Sequence, residues 1–262
     1  MTLLHSIVLA VVEGLTEFLP ISSTAHLVFV SSLMGIQASG FTKSFEIVIQ
    51  LGAVLAVALL YVKTVLHNLK LIIPVLIGFV PAAIAGVLVY PVIKSAMGDP
   101  FIVGVVLAIG GAGIVLFEVW MQKQKGSIVS LAAVSNRTGL KIGLYQALSV
   151  IPGVSRAAST IIGGMAEKLD RKTAVEFSFL LSVPTVVGAS AFELLHSWRT
   201  VLAGGNLHVL VIGFIVSFVV ALVAVKWFIR FVQTHSLKAF GWYRIIVGIA
   251  VVVWFVRIVG IG

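Results

Sequence analysis

The sequence has no cysteine and very little charge. Its 262 residues include no Cys, and only 10% are charged, with 9 Asp and Glu against 18 Lys and Arg. The absence of Cys excludes disulfides, cysteine nucleophiles, Cys-ligated zinc and iron–sulfur clusters. Because 60% of the residues are hydrophobic, so few polar groups could not cover the apolar surface of a water-soluble enzyme. The chain therefore has lipid as its solvent.

Long apolar runs dominate the chain. Six of them are long enough to cross a bilayer, at about 20 residues per crossing. They cover 45–62, 71–92, 101–121, 173–196, 207–229 and 240–258. Two further stretches, 3–36 and 141–166, are apolar but are interrupted by Pro, Gly, Ser and ionisable residues. The pattern predicts an all-α polytopic membrane protein that forms a single integral membrane domain over 1–262.

The Lys and Arg residues predict the orientation of these segments. Most of them lie in four links, which are 62–70, 122–141, 167–172 and 226–239. The positive-inside rule places these links in the cytoplasm. The six long runs then alternate correctly, but 141–166 has basic links at both ends, and 3–36 starts and ends outside. Both are therefore predicted to be re-entrant helical hairpins from opposite faces. The net charge of +9 indicates orientation in a membrane, and no nucleic-acid partner is expected.

The two halves of the chain resemble each other weakly. Each half, at approximately 1–121 and 141–262, has a hairpin followed by three spans, and a basic cytoplasmic link at 122–140 joins them. A single offset aligns Glu13 with Gln146 and Ser22 with Ser155. Together with the opposite orientations, this predicts an inverted-topology repeat whose broken helices meet near the membrane midplane. Non-helical backbone at that depth must be buried in protein or line a watery cavity.

Ionisable residues occupy the two predicted hairpins. Glu13 and Glu17 lie four residues apart, on one helical face, and Arg156 lies in the other hairpin. Each such group costs about 2.5–3.5 kcal/mol near the bilayer centre, so these groups must be paired, hydrated or metal-bound. Two neighbouring carboxylates favour either a bound divalent cation or one protonated acid.

The same residues have a chemical and a structural interpretation. Paired carboxylates, a guanidinium fork and nearby hydroxyls suit a metal ion together with a phosphate or diphosphate. His26 is then a candidate general base or nucleophile. The structural alternative is a buried ionic cluster that joins the hairpins, with His26 a hydrogen-bonded core histidine. Glu118, at the end of a span, is expected to be solvated.

Four segments of the sequence resemble the undecaprenyl-diphosphate phosphatase family, the bacterial bacitracin-resistance phosphatases. They are Glu13-Gly-Leu-Thr-Glu17-Phe-Leu-Pro20-Ile-Ser-Ser23-Thr-Ala-His26, Phe45-Glu-Ile-Val-Ile-Gln-Leu-Gly52, Pro152-Gly-Val-Ser155-Arg156 to Thr160, and Glu176-Phe-Ser-Phe-Leu-Leu-Ser-Val-Pro184. The likeness covers essentially the whole chain. The chain departs from the family at Ala157-Ala158, where the family usually has Ser-Gly, so a hydroxyl that could contact phosphate and a flexible backbone position are missing there.

The resemblance implies an enzyme of the bacterial cytoplasmic membrane. It implies hydrolysis of undecaprenyl diphosphate to undecaprenyl phosphate and inorganic phosphate, dependent on Mg²⁺ or Ca²⁺, which recycles the lipid carrier for peptidoglycan synthesis. The partners would be the polyprenyl diphosphate and membrane lipids, and the site would open to the outer face. A homodimer is left open.

Residue roles follow from the resemblance together with this inventory. The catalytic candidates are Glu17, Ser23, His26 and Arg156. The substrate-binding candidates are Ser22, Thr24, Ser155, Arg156 and Thr160, and the metal candidates are Glu13 and Glu17. Two routes remain open: Ser23 attacks after His26 takes its proton, or His26 activates water. The rival function is a lipid-phosphate flippase or anion transporter that uses the same midplane cavity, since inverted repeats with broken helices are typical of transporters.

Overall fold

The computed structural model describes residues 1–36, 39–96, 99–121, 126–202 and 207–259. Two basic residues of the predicted cytoplasmic link, Lys123 and Lys125, lie outside the described residues. Regular secondary structure in the described ranges is helical. Its α-helices are α1 (Leu3–Thr16), α2 (Ser23–Leu33), α3 (Gly40–His67), α4 (Ile72–Ala96), α5 (Pro100–Met121), α6 (Asn136–Ala147), α7 (Arg156–Ala166), α8 (Arg171–Leu202), α9 (Leu207–Thr234) and α10 (Lys238–Val259).

Six of these helices, α3, α4, α5, α8, α9 and α10, are long and apolar enough to cross a membrane. They coincide with the six predicted runs and extend past most of them into polar flanking residues. Many of their Leu, Ile and Val side chains are exposed, such as Leu88, Leu116 and Leu195. Such exposure is expected where the neighbouring solvent is hydrocarbon rather than water. The prediction of an all-α, multi-pass membrane protein is confirmed for the described residues.

The four remaining helices are shorter and form two pairs, α1–α2 and α6–α7. Residues 17–22, called the first turn here, connect α1 to α2, and residues 148–155, called the second turn, connect α6 to α7. Each turn ends at a serine that caps the next helix: Ser22 Oγ accepts from the N–H of Ala25, and Ser155 Oγ accepts from the N–H of Ala158. Because serine hydroxyls satisfy free N–H groups at helix starts, both helices begin where the sequence places these serines.

Each pair packs against a long helix from the opposite half of the chain. Helix α1 lies against α9, and α6 lies against α4. Glycines allow this approach, because a Cβ atom at Gly14 would lie 2.7 Å from the backbone oxygen of Ser217, and one at Gly143 would overlap the backbone of Gly78. Helices α3 and α8 pack together, as do α5 and α10. The two turns are thereby brought together between the halves.

The expectation that Glu118 is solvated was wrong. Its side chain is 2% exposed and forms an ion pair with Arg171 at the start of α8. Its Oε1 also accepts a hydrogen bond of 2.9 Å from the backbone N–H of Leu237. The end of α5 is therefore tied to the start of α8 and to the α9–α10 link, and a carboxylate with these partners can be buried.

Candidate active site

The two turns meet at a cavity of about 220 Å³. Its lining contains six of the nine residues predicted for the site, drawn from both halves of the chain. The lining consists of Glu17, Ser22, Ser23, Thr24, Gln50, Ser149, Val154, Ser155, Arg156 and Ala189. The three other predicted residues, Glu13, His26 and Thr160, lie behind this lining.

An ion pair joins the two turns across the cavity. Arg156 Nη2 lies 2.9 Å from Glu17 Oε1, and these side chains are 12% and 10% exposed. The guanidinium also lies 3.5 Å from the backbone oxygens of Glu17 and Ser178. The ring of Phe18 lies beneath it, with its centroid 6.0 Å from Arg156 Cζ. A positive fork thus faces the cavity, held by contacts with the first turn and with α8.

Glu17 has a second partner at the start of α2. The hydroxyl of Ser23 donates a hydrogen bond to Glu17 Oε2. One carboxylate therefore contacts the cationic group through one oxygen and a hydroxyl through the other. A hydroxyl hydrogen-bonded to a carboxylate can lose its proton to it while attacking an electrophile, which is the arrangement of an activated nucleophile.

Both ring nitrogens of His26 have partners other than Ser23. Nδ1 lies 2.8 Å from the backbone oxygen of Ser22, and Nε2 lies 2.8 Å from the hydroxyl of Tyr243. Because a carbonyl oxygen can only accept, Nδ1 is the donor, and in a neutral imidazole Nε2 then accepts from Tyr243. The His26 and Tyr243 rings are also stacked, with centroids 5.6 Å apart. These contacts hold the backbone of Ser22 at the start of α2.

The carboxylate of Glu13 is fully buried. Its side chain is 0% exposed, and neither oxygen has a hydrogen-bond partner among the described residues. The charged groups that act on it are Glu17, Glu46 and Arg156. A buried, charged carboxylate without a partner is costly, so Glu13 is either protonated beside Glu17, one helical turn further along, or bound to a cation.

The described residues contain no cluster of three or more His, Cys, Asp or Glu side chains that could hold a metal. An ion at Glu13 and Glu17 would therefore complete its coordination with water and phosphate oxygens. That donor set is one that Mg²⁺ accepts in phosphate-processing sites.

Thr160 contacts the backbone of α7 and the neighbouring helix α8. Its hydroxyl lies 2.9 Å from the backbone oxygen of Arg156 and contacts the hydroxyl of Ser178 on α8. The two residues at which the sequence departs from the family, Ala157 and Ala158, are buried in the hydrophobic core. They pack α7 into the protein, while Arg156 at the start of the helix lies on the cavity wall.

Sequence reasoning missed three polar residues near the cavity. Gln50 and Ser149 belong to its lining, and Tyr243 contacts His26. Gln50 could have been found, because it is a polar amide inside an otherwise apolar motif, Phe45–Gly52. Tyr243 lies near the start of the last apolar run, 240–258, and aromatic residues are common where such runs meet the membrane surface.

The sequence matches the family described as Bacitracin resistance protein BacA over residues 6–250. It is similar to the undecaprenyl-diphosphatase of Sulfurihydrogenibium sp. strain YO3AOP1, with 44% identity over 255 residues, covering 97% of this chain and all of the relative. The undecaprenyl-diphosphatase of Aquifex aeolicus strain VF5 is 42% identical over 97% of this chain and 99% of its own length. That of Flavobacterium johnsoniae is 43% identical, with coverages of 95% and 94%. The resemblance seen in the four sequence segments is confirmed, and the chain belongs to the BacA bacitracin resistance protein family.

Proposed function

We propose that this protein hydrolyses undecaprenyl diphosphate to undecaprenyl phosphate and inorganic phosphate, which recycles the lipid carrier for peptidoglycan synthesis. The observation that supports this most directly is the arrangement around Glu17, where a guanidinium and a serine hydroxyl contact the two oxygens of one carboxylate at a cavity wall. Its relatives named undecaprenyl-diphosphatases match it along nearly their whole lengths.

The diphosphate binds between the starts of α2 and α7. Both helices begin at the cavity, so their free N–H groups and their positive dipole ends attract an anion. Arg156 provides a planar fork for two phosphate oxygens. The substrate carries more negative charge than Glu17, so it displaces that carboxylate as the partner of Arg156. The hydroxyls of Ser22, Thr24 and Ser155 complete the lining around the phosphate groups.

The reaction begins with attack by Ser23. Its Oγ forms a bond to the terminal phosphorus, and its proton passes to Glu17 Oε2. The bond between that phosphorus and the bridging oxygen breaks, and undecaprenyl phosphate leaves with the electron pair. Glu17 passes its proton to the departing undecaprenyl phosphate and is again a carboxylate. Water then attacks the phosphorus of the phosphoserine while Glu17 takes a proton from this water. As the bond between phosphorus and Ser23 Oγ breaks, Glu17 returns that proton to Oγ, which restores the hydroxyl and releases inorganic phosphate. His26 keeps the backbone of Ser22 in place through Nδ1.

Glu13 and Glu17 are the residues that would bind Mg²⁺ or Ca²⁺. When bound, such an ion neutralises negative charge on the phosphoryl group and on the leaving oxygen. The unpartnered, fully buried carboxylate of Glu13 supports this assignment, since a cation would remove the cost of burying its charge.

The fold is an inverted repeat in the bacterial cytoplasmic membrane, with α1–α2 and α6–α7 as re-entrant hairpins. The packing supports this, because exchanging the halves converts the α1–α9 contact into α6–α4 and the α3–α9 contact into α8–α4, and all four contacts occur. The cavity opens to the outer face. Gln50 lies in the first half of α3 and Ala189 in the second half of α8, and the charge-derived orientation places both of these halves outside.

Phosphate release by the purified protein in detergent tests the function. We expect release from undecaprenyl diphosphate that stops with a chelator and returns with Mg²⁺ or Ca²⁺. Glu17→Ala and Arg156→Ala should each lower kcat/KM by at least about 10³-fold, because each removes a group that acts on the transferred phosphoryl group. Glu167→Ala is the matched control, since that acid pairs with Lys141 away from the cavity.

Each alternative predicts a different result. Unchanged turnover in both the Glu17 and Arg156 variants would make the ion pair structural. A phosphoryl adduct trapped on the wild type and absent from Ser23→Ala would establish covalent catalysis, whereas its absence from both would favour direct attack by water. Failure to release any phosphate in detergent, together with movement of lipid phosphate or anions in vesicles, would favour the transporter.

A further inference from the structure

A second arginine is buried beside the two turns. Arg244 on α10 is 1% exposed, and the ion pairs among the described residues do not include it. Its donors reach three backbone carbonyl oxygens instead. Nη1 lies 3.3 Å from the oxygen of Pro20, Nη2 lies 3.1 Å from that of Gly153, and Nε lies 3.3 Å from that of Leu107.

These three carbonyls belong to three separate parts of the chain. Pro20 lies in the first turn, between Glu17 and Ser23, and Gly153 lies in the second turn, just before Arg156. Leu107 is on α5, the helix that packs against α10. A planar guanidinium with donors pointing in several fixed directions can contact all three at once, which a lysine ammonium on its flexible stem cannot. The side chain therefore links both turns to the α5–α10 pair.

The space for the guanidinium depends on a glycine. A Cβ atom at Gly110 of α5 would overlap Arg244 Nη2, and the three atoms nearest to that Cβ all belong to Arg244. Any larger residue at this position would push the guanidinium away from its carbonyl partners. Three residues further along α5, a Cβ at Gly113 would meet no atom within 4 Å. The two glycines thus provide a test position and a matched control on the same helix.

Burying a charged side chain without a counter-ion costs free energy, so packing alone does not explain an arginine at this position. We infer that Arg244 is a positioning residue, whose hydrogen bonds to Pro20 and Gly153 set the separation of the two turns and so place Glu17 and Ser23 opposite Arg156. Its kinetic consequence rests on the proposed phosphatase activity. Its structural consequence, the linkage of the turns, does not.

Kinetics and amide hydrogen exchange test this inference. In Arg244→Met and Arg244→Lys we expect kcat per folded molecule to fall about 100-fold, the effect of misplacing reacting groups by about 1 Å. KM should change less than about threefold, since Arg156 itself remains. Amide exchange should increase in both turns and not along α3. Gly110→Ala should reproduce both effects, while Gly113→Ala should match the wild type.

Non-additivity shows whether Gly110 acts through Arg244. The Gly110→Ala, Arg244→Met double variant should have the same kcat as Arg244→Met alone, because residues that act through one interaction do not add. The inference is wrong if folded Arg244→Met keeps the wild-type kcat and turn exchange, or if Gly110→Ala costs as much in the Arg244→Met background as in the wild type. A wild-type protein that releases no phosphate would overturn the proposed function, and the exchange measurements would still decide the role of Arg244.

Discussion

The two pairs of short helices, α1–α2 and α6–α7, share a layout but differ in charge. Glu13 in α1 and Gln146 in α6 align in the sequence, and both are 0% exposed. Gln146 Nε2 donates a 3.2 Å hydrogen bond to Thr185 on α8, whereas neither carboxylate oxygen of Glu13 has a hydrogen-bond partner in the described structure. Gln146 thus has a hydrogen-bond partner on α8. Burial of a charged Glu13 costs free energy that no hydrogen bond among the described residues offsets. The first helix pair therefore provides the acidic groups of the site, and the second provides the cationic Arg156.

The starts of α2 and α7 extend the comparison. His26 Nδ1 donates to the backbone oxygen of Ser22, and at the aligned position the hydroxyl of Ser159 donates to the backbone oxygen of Ser155, at 3.1 Å. The same backbone group is thus held by an imidazole in one hairpin and by a hydroxyl in the other. Among the hydrogen bonds of the described residues, the imidazole has a second one, with Tyr243. The shared contact indicates that His26 and Ser159 have the same positioning role, and Tyr243 adds to it at His26.

Within this comparison, we expect the largest change in kcat/KM from substitution of Glu13, the acid that aligns with the amide Gln146. Glu13→Gln should lower kcat/KM about 100-fold at a fixed low metal concentration, because one carboxylate ligand is lost, while thermal stability is kept or rises. Gln146→Leu should instead lower the stability and leave turnover unchanged. The variant loses the hydrogen bond to Thr185 and with it about 1 kcal/mol of unfolding free energy, while its folded fraction keeps the wild-type turnover. Metal titrations of turnover and thermal melts in detergent measure both. A Glu13→Gln protein with wild-type metal dependence would remove Glu13 from the metal site.

A smaller effect is expected at the aligned histidine and serine. His26→Gln should lower kcat about tenfold but keep the acidic limb of the pH–kcat profile, because Glu17 accepts the proton from Ser23. Ser159→Ala should lower kcat only a few-fold and leave the pH–kcat profile unchanged, because it removes one hydrogen bond to the backbone oxygen of Ser155. Disappearance of the acidic limb in His26→Gln alone would instead assign the general base to His26.

The smallest effect concerns the two capping serines. Ser22 has a φ of +70°, which strains a residue with a Cβ atom, whereas Ser155 has a φ of −72°. Ser22→Gly should therefore raise stability by about 0.5–1 kcal/mol, and Ser155→Gly should lower it by a similar amount through lost capping and added chain entropy. Thermal melts in detergent should show shifts of opposite sign, and shifts of equal sign would contradict this account of the first turn.

Most of the fold could be predicted from the sequence because its signals are local. The six spanning helices follow from runs of apolar residues, and their ends follow from serines and charged residues nearby. Glu118 shows where such reasoning fails. Its position at the end of α5 suggested contact with solvent, but α8 supplies Arg171 from 53 residues away, and nothing in the local sequence indicates that contact.

The site was predicted as a set of residues but not as an arrangement. Ionisable side chains in apolar segments identified Glu13, Glu17 and Arg156, since lipid penalises such groups wherever they occur. The partner of each side chain could not be predicted. The sequence suggested His26 as the group that activates either Ser23 or water, whereas in the structure the Ser23 hydroxyl donates to Glu17.

By itself, the sequence determined the solvent, the helical class, the approximate spans and the family of this protein, because hydropathy, charge bias and motif residues are properties of short segments. Only the tertiary structure decided that Glu17 contacts Arg156 from 139 residues away, that Tyr243 occupies Nε2 of His26, and that Arg244 contacts both turns. Such contacts depend on how helices from opposite halves pack. That packing is set by side-chain shape and by glycines such as Gly14 and Gly110, whose effect appears only where another helix comes close.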